Sequence, residues 1–550
     1  MGDSLLSGVS GLQAHQQMLD VAGNNLANVN TIGFKSSSVT FAELLSETVK
    51  EASQPSATIG GTNPMQVGSG VQVASINRNM TQGSLMSTGQ ALDMAIEGSG
   101  YFVLNDGQKN VYTRVGAFSV DSQYYLVDPG SGYRVQRIGS EGVSDGFQNP
   151  ASNNIRIPYD VALPSKATST MSFSNNLSAD KINPTTNTLI SGLAYTVDGS
   201  VAGPLTELAD LDQTKGVVAG DKITISGTKR DGTAVGNVEF DIFNADGTSK
   251  TLGDLVTAVN AAFPDSVATL SSGQLVLTDK EAGYSQTDIT MEMDADAAGT
   301  IELPENFNLS IAGGMSSGTT NVSMYDNEGI SHTMTVTFVK TNESNKWDMV
   351  INSVDGDVKL VDRRIKGITF LTDGTFGGTG SNESAFNVVF GSDPNNNRKI
   401  SVFLGDVGGR NGITQFGGDS TVSSSGQNGY AAGWLSTLSV SRDGVLVGIF
   451  TNGVRKDLAA LKVATFQNPA GLTSLGNNFF IGSSNSGEAV PAKALTGGAG
   501  AVRGGVLEKS NVEVATEFVN LIQAQNGYQA NARTIKVAND MLRELTDLIR

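Results

Sequence analysis

With 550 residues, 39% of them hydrophobic, the chain is long enough for about three or four domains and apolar enough to form folded cores, which excludes wholesale disorder. A net charge of −18 argues against nucleic acid as a partner, because phosphate recognition needs clustered Lys and Arg. Cysteine is absent, which removes disulfides and thiolate metal sites; no run of 18 apolar residues offers a membrane span; and Met1-Gly2-Asp3-Ser4 lacks the basic start and cleavage site of a standard signal peptide.

The first predicted element is a helix with Leu5, Leu12, Leu19 and Leu26 at period seven, a stripe that supercoils against another helix. Between Ser4 and Asn30 its formal charges are Asp20 and, when protonated, His15. Its polar positions, among them Ser7, Gln13, Gln16, Asn24, Asn25 and Asn28, are amides and hydroxyls, which tolerate close neighbours on several sides. Gly8, Gly11 and Gly23 each cost about 0.8–1 kcal/mol relative to Ala, roughly 2–3 kcal/mol in all, so the segment is expected to be unfolded alone and ordered only by packing. Asn28-Val29-Asn30-Thr31-Ile32-Gly33-Phe34 reads as a helix stop, with Gly33 suited to a left-handed residue.

Short β-rich runs follow, such as Val336-Thr337-Phe338-Val339, with no βαβ rhythm and no run of helices, so the middle is expected to be all-β. Asp373-Gly374, Asp443-Gly444 and Asn452-Gly453 are the hairpin signals, the last two framing Val445-Leu446-Val447-Gly448-Ile449-Phe450. The Ser/Gly-rich residues 421–429 read as a linker. The final element is a helix, with Ser510 and Glu513 at capping-box spacing. Its stripe is Val514, Leu521, Tyr528, Ile535, Leu542 and Ile549. Ala524, Asn531, Ala538 and Leu545 fill a second stripe whose small and amide residues permit close contact; Asn531 is a candidate for fixing register, and Gly527 is a mid-helix weak point.

Catalytic chemistry finds little support. The two histidines, His15 and His332, fall in the first helix and in a β segment, which gives no Ser/His/Asp triad or His metal site, and no GxxxxGK[ST] phosphate loop occurs. Asp294, Asp296, Gly299 and Glu305 occupy EF-hand loop positions 1, 3, 6 and 12. Ala298 stands where a fifth-position oxygen ligand is wanted and Pro304 breaks the following helix, so an acidic surface loop is the expected reading. No catalytic, cofactor or metal residue is assigned. Low charge (16%) and richness in Gly, Ser, Thr and Asn suit an extracellular protein, which without a cleavable leader calls for a dedicated secretion route; an ordinary acidic cytoplasmic protein is the alternative.

Asp20-Val21 with Asn24-Asn25-Leu26-Ala27-Asn28-Val29-Asn30-Thr31-Ile32-Gly33-Phe34-Lys35 resembles the N-terminal signature of bacterial flagellar rod and hook proteins. Leu92-Asp93-Met94-Ala95-Ile96-Glu97-Gly98-Ser99-Gly100-Tyr101-Phe102, then Tyr112-Thr113-Arg114 with Gly116-Ala117-Phe118, resemble the family's first core strands. Ser510-Asn511-Val512 with Tyr528-Gln529-Ala530-Asn531 is similar to its C-terminal signature. Val115 departs where the family usually has Asn, and Tyr124 falls near a common Gly. Pro164-Ser165-Lys166-Ala167-Thr168, Ser323-Met324-Tyr325-Asp326 and Gln427-Asn428-Gly429-Tyr430 resemble the outer-domain blocks of the family's hook branch. Residues 181–304 match nothing recognisable and are expected to form an inserted β domain.

The resemblance implies a mainly β, multidomain chain with paired, coiled-coil-like terminal α-helices and nested, discontinuous β domains. The expected parts are a terminal helical assembly domain (1–34 with 506–550), a connecting segment (35–69), an inner β domain (70–145 with 431–505), an outer β domain (146–180 with 305–430) and the outermost insert (181–304). It implies a structural subunit, not an enzyme, that self-assembles into the curved helical tube of the hook, a universal joint carrying motor torque from rod to filament. Self-association is expected through Leu5, Leu12, Leu19, Leu26, Asn24, Asn25, Asn28, Val514, Leu521, Tyr528, Asn531, Ile535, Leu542 and Ile549. The implied partners are further copies, the distal rod, the hook cap, the hook–filament junction proteins and the flagellar export apparatus, with no nucleic acid and no membrane insertion. The implied location is the cell exterior, reached without a cleaved signal. A distal-rod or other hook-like axial protein, and a secreted β-rich adhesin with coiled ends, are the alternatives.

Overall fold

A computed structural model describes residues 2–56, 58–180, 183–304, 306–380 and 384–548. The chain divides into two compact units, Met1–Leu163 with Trp434–Arg550, and Pro164–Gly433. Its α-helices among the described residues are α1 (Gly2–Ala27), α2 (Leu252–Ala262) and α3 (Val514–Leu548).

In the first unit the two ends of the chain interleave strand by strand. Asn110–Thr113 pairs with Phe479–Ile481, Met94–Glu97 with Ala501–Gly504, Leu85–Ser87 with Val506–Glu508, and Arg137–Ile138 with Arg455–Leu461. Loop-closure entropy grows only logarithmically with length, so a whole unit inserted between paired strands adds little cost once their apolar faces are buried. Edge-to-face rings do much of that burying: Tyr101 meets Phe466 at 5.8 Å and Tyr112 meets the same ring at 4.8 Å. The hairpins expected at Asp443-Gly444 and Asn452-Gly453 join Leu435–Val440, Val445–Phe450 and Arg455–Leu461 into a meander. Residues 35–69, expected as a connector, instead carry the strand Ser37–Glu43, which pairs with Val71–Arg78, and the hairpin Ser46–Lys50 with Met65–Gly68.

The second unit stacks a six-stranded sheet and a five-stranded sheet over a core containing Phe173, Phe338, Trp347, Phe386 and Phe390. Residues 421–429 are no linker: Ser423–Gln427 runs antiparallel to Thr170–Ser178. Propensity favoured a loop there, but the Ser172 hydroxyl donates to the Gly426 carbonyl at 3.1 Å and partner-strand hydrogen bonding overrides propensity. Nor is the middle all-β. Thr251 caps α2 in a reciprocal box with Asp254, and Leu252, Leu255, Val259 and Ala262 line its buried face. The Thr-x-x-Asp signal was present in the sequence, hidden among neighbouring strands.

The insert shares its core with the five-stranded sheet. Val339 and Val350, from strands Ser331–Lys340 and Lys346–Val354, lie in one apolar cluster with Leu189, Leu275, Phe307 and Leu309. Phe307–Ile311, placed by expectation in the outer domain, completes the insert's sheet against Thr188–Ser191. Polar braces cross the same seam: Asn306 Nδ2 donates to the Val358 carbonyl at 2.5 Å, Arg364 Nη2 to that of Ser285 at 3.0 Å, and the Tyr284 hydroxyl to Asp348. Excising residues 181–304 is therefore expected to destabilise the remainder of this unit by about 3–6 kcal/mol, the value of uncovering two valines. Denaturant unfolding measures it, and an unchanged midpoint would show the insert to be independent.

Candidate self-assembly surface

Where α1 ends and α3 begins, side-chain amides replace missing backbone partners. Asn28 Nδ2 donates back to the Asn24 carbonyl at 2.9 Å, and the Thr31 hydroxyl donates to Asn28 Oδ1 at 3.1 Å. Gly33 adopts φ +68° and gives its N–H to the Glu508 carbonyl at 2.8 Å, closing the helix stop against the returning chain. Asn25 is fully buried: its Oδ1 accepts the Ser37 N–H at 2.9 Å while its Nδ2 donates to the Ser37 carbonyl at 2.8 Å and to Glu517 Oε1, on α3, at 3.0 Å. Asn24 is exposed and Asn28 half-buried. Asn511 accepts the Ser36 N–H at 2.8 Å and donates to the carbonyls of Asn79 and Thr81. The expected Ser510–Glu513 capping box does not form: α3 starts at Val514, the Ser510 hydroxyl accepts the Val512 N–H, and Glu513 accepts from the Thr516 hydroxyl.

Beneath this joint lies a buried charge cluster. Lys35 Nζ sits 2.7 Å from Glu508 Oε1, with both side chains all but fully buried, and donates also to the Thr81 carbonyl at 2.7 Å. The Gly83 N–H reaches Glu508 Oε1 at 2.8 Å, and Arg114 Nη1 stands 3.7 Å from Oε2. Burial holds the Lys35 ammonium below its ordinary range, with the adjacent Glu508 carboxylate opposing that shift. Removing one partner of such a set leaves an uncompensated buried charge. Glu508→Gln is expected to destabilise the first unit by roughly 3–5 kcal/mol, read as a shift in its denaturant midpoint.

From the joint the two helices run antiparallel. Asn25 faces Glu517, His15 faces Gly527, Gly11 faces Asn531 and Gly8 faces Ile535. A Cβ on Gly8 would lie 2.9 Å from Ile535 Cγ1, one on Gly11 2.7 Å from the Asn531 amide, and one on Gly527 2.5 Å from the His15 ring. The glycines that weaken each helix in isolation are thus what lets them touch. Ala14, Ala22, Ala524 and Ala538 are buried along the same seam. Leu5, Leu12, Leu19 and Leu26 are half-buried, as are Leu521, Tyr528, Asn531 and Ile535, the last two standing opposite Gly11 and Gly8. Asn531 Nδ2 donates to the Gly527 carbonyl of its own helix at 2.9 Å. Val514 and Leu542 are exposed, and Ile549 lies outside the described residues. For Leu542 the reason is length: 26 residues of α1 cannot cover 35 of α3, and residues 541–547 run past the pair into solvent. Gly11→Val and Gly527→Val are each expected to unpair the helices, seen as lost amide-exchange protection in both; protection kept in either variant would contradict a seam built on small residues.

A second apolar set on α3 has no cover. Phe518, Val519, Ile522, Val537, Met541 and Leu545 are exposed, Ile522 at 56%. Several lie four residues apart and form short stripes on the helix surface. Sequence reasoning named two stripes on this helix, the second ending in Leu545, and missed the rest of this set, although Phe518 and Ile522, and Val537 and Met541, lie at the same four-residue spacing. The remaining candidates for chemistry are placed as follows. The His15 ring packs 5.8 Å from Phe41, and His332 Nδ1 lies 3.0 Å from the Asp355 carbonyl. In the acidic loop, Asp221 accepts the Ala298 and Gly299 N–H groups at 2.8 and 3.1 Å, and Glu305 lies outside the described residues.

Four family descriptions match the chain: "Flagella basal body rod protein" at residues 5–35, "Flagellar hook protein FlgE/F/G D1 domain" at 95–175, "Flagellar basal body protein FlaE D2 domain" at 292–430, and "Flagellar basal body rod FlgEFG protein C-terminal" at 503–548. The chain is 32% identical to the flagellar hook protein FlgE of Borreliella burgdorferi, over 99% of each chain. It is 31% identical to that of Treponema pallidum, over 100% of this chain and 99% of the other. A solved structure of Helicobacter pylori flagellar hook protein FlgE2 aligns with TM-score 0.42 and 18% identity, covering 77% of this chain and 100% of that one.

Proposed function

The chain belongs to the flagellar hook protein family, and from that premise we propose that it builds the hook by self-assembly through its terminal helix pair. It is a structural subunit of the bacterial flagellar hook. The observation that carries the assembly route is the uncovered apolar set on α3: the pairing with α1 buries one side of the helix and leaves Phe518, Val519 and Ile522 in water. Exposed apolar stripes on a helix are protein contact surfaces. A contact between one face of a subunit and a different face of the next does not close on itself and generates a helical tube. The polar, Gly/Ser/Thr/Asn-rich surfaces of the second unit suit contacts that slide as the curved tube rotates, while the helices supply the firm core.

The domain nesting, with the insert outermost, belongs to the same proposal, as do contacts with the distal rod, hook cap, junction proteins and export apparatus, and export without a cleaved signal. A catalytic role is not part of it: His15 is wedged against Gly527, and His332 lies against the Asp355 carbonyl and, at 3.5 Å, the Asp326 carboxylate. Replacing both Phe518 and Ile522 with Asp is expected to abolish tube formation by electron microscopy while the melting temperature of the monomer stays unchanged, since neither side chain is part of the buried seam. Tubes formed by the double variant would remove α3 from the assembly route.

A further inference from the structure

A cavity of about 310 Å3 opens in the first unit beside the helix stop, lined by Asn28, Thr31, Lys35, Arg78, Asn477 and Phe480 among others. No carboxylate stands among its described lining residues. Its two cations are in different states. Lys35 is held by Glu508 and the Thr81 carbonyl. Arg78 has a ring beneath it but no anion: its guanidinium carbon lies 5.3 Å from the centre of Phe480, and among the described residues no carboxylate or carbonyl receives its N–H groups. Burial holds this guanidinium below its ordinary range. A partly buried cation without a counter-ion is costly, and arginine carries five donors in a rigid planar fork whose shape matches a carboxylate. Contact with Phe480 orients that fork before any partner arrives, which lowers the entropy lost on binding. The rim is held in place as well: Asn477 and Asn478 are consecutive left-handed residues, and Asn478 Nδ2 donates to the Ile32 carbonyl at 2.9 Å.

The occupant follows from charge. The chain carries 54 acidic against 36 basic residues, so every copy has carboxylates in excess over cations. We propose that this cavity receives an Asp or Glu side chain from a neighbouring copy of the chain, gripped by Arg78 through paired N–H···O bonds. The inference rests on the polymer reading and names one contact within that polymer. Such charge-assisted pairs are the strong ones, and removing the cation from a desolvated pair slows assembly and speeds release.

Sedimentation of the full chain against concentration tests it. Arg78→Gln is expected to raise the concentration needed for polymerisation about tenfold or more, with the melting of the monomer little changed, because no internal ion pair is lost and what the side chain gives up is its contact with Phe480. Arg78→Gln polymerising at the wild-type concentration overturns the inference while leaving the polymer reading intact; a wild-type chain that stays monomeric sinks both. A second variant identifies the occupant. Polymers of Arg78→Lys, assembled from a mixture of heavy- and light-isotope chains, are treated with a carbodiimide. This reagent joins an amine to an adjacent carboxylate as an amide and takes up the water released. A cross-link from position 78 to an Asp or Glu of a different chain is expected; one confined to a single chain, or none at that position, overturns the proposal.

Discussion

Glu508 is buried on the last strand before α3, with the Lys35 ammonium on one oxygen and the Arg114 guanidinium near the other. Each of these charges would cost several kcal/mol if left alone in that environment, so the set is stable only when the departing and returning ends of the chain are both in place. This condition anchors everything around it. The strand Val506–Glu508 must lie against Leu85–Ser87, the helix stop must deliver Gly33 to the Glu508 carbonyl, and Asn511 must reach Ser36. Because α1 ends and α3 begins at this one point, the helices leave it side by side and antiparallel.

How closely they run is decided by glycine. In a helix alone, Gly8, Gly11 and Gly527 are weaknesses; in the pair a Cβ at any of them would come within 2.9 Å of the Ile535, Asn531 or His15 side chain, which would have to move. The seam is therefore narrow, and most of the apolar surface of α3 lies outside it. A helix pair firmly rooted at one end and unsatisfied along its outer side is poorly suited to a solitary globular protein and well suited to the centre of a polymer, where copies of itself can cover what α1 does not.

The second unit follows a different logic. There the insert and the five-stranded sheet share one apolar cluster through Val339 and Val350, and hydrogen bonds from Asn306, Arg364 and Tyr284 span the same seam. A unit whose parts share one core and several cross-seam hydrogen bonds resists coming apart at that seam.

Local chemistry was enough to place the terminal helices, the hairpins at Asp443-Gly444 and Asn452-Gly453, and the helix stop, since each depends on periodicity or turn geometry within a few residues. The family signature around Asn24 and Asn25 was legible too, but not its purpose: that Asn25 bridges Ser37 and Glu517 depends on a helix 492 residues further along the chain. The capped helix α2 was written in Thr251 and Asp254 and was overlooked among strands. Only the tertiary structure could decide which side of α3 meets α1, that glycine and alanine lie at the contact while the leucine stripe is half-buried, and that Ser423–Gln427 is a strand. In each case the answer lies in the identity of the partner surface, and a repeat in one segment states that a face exists without stating what will cover it.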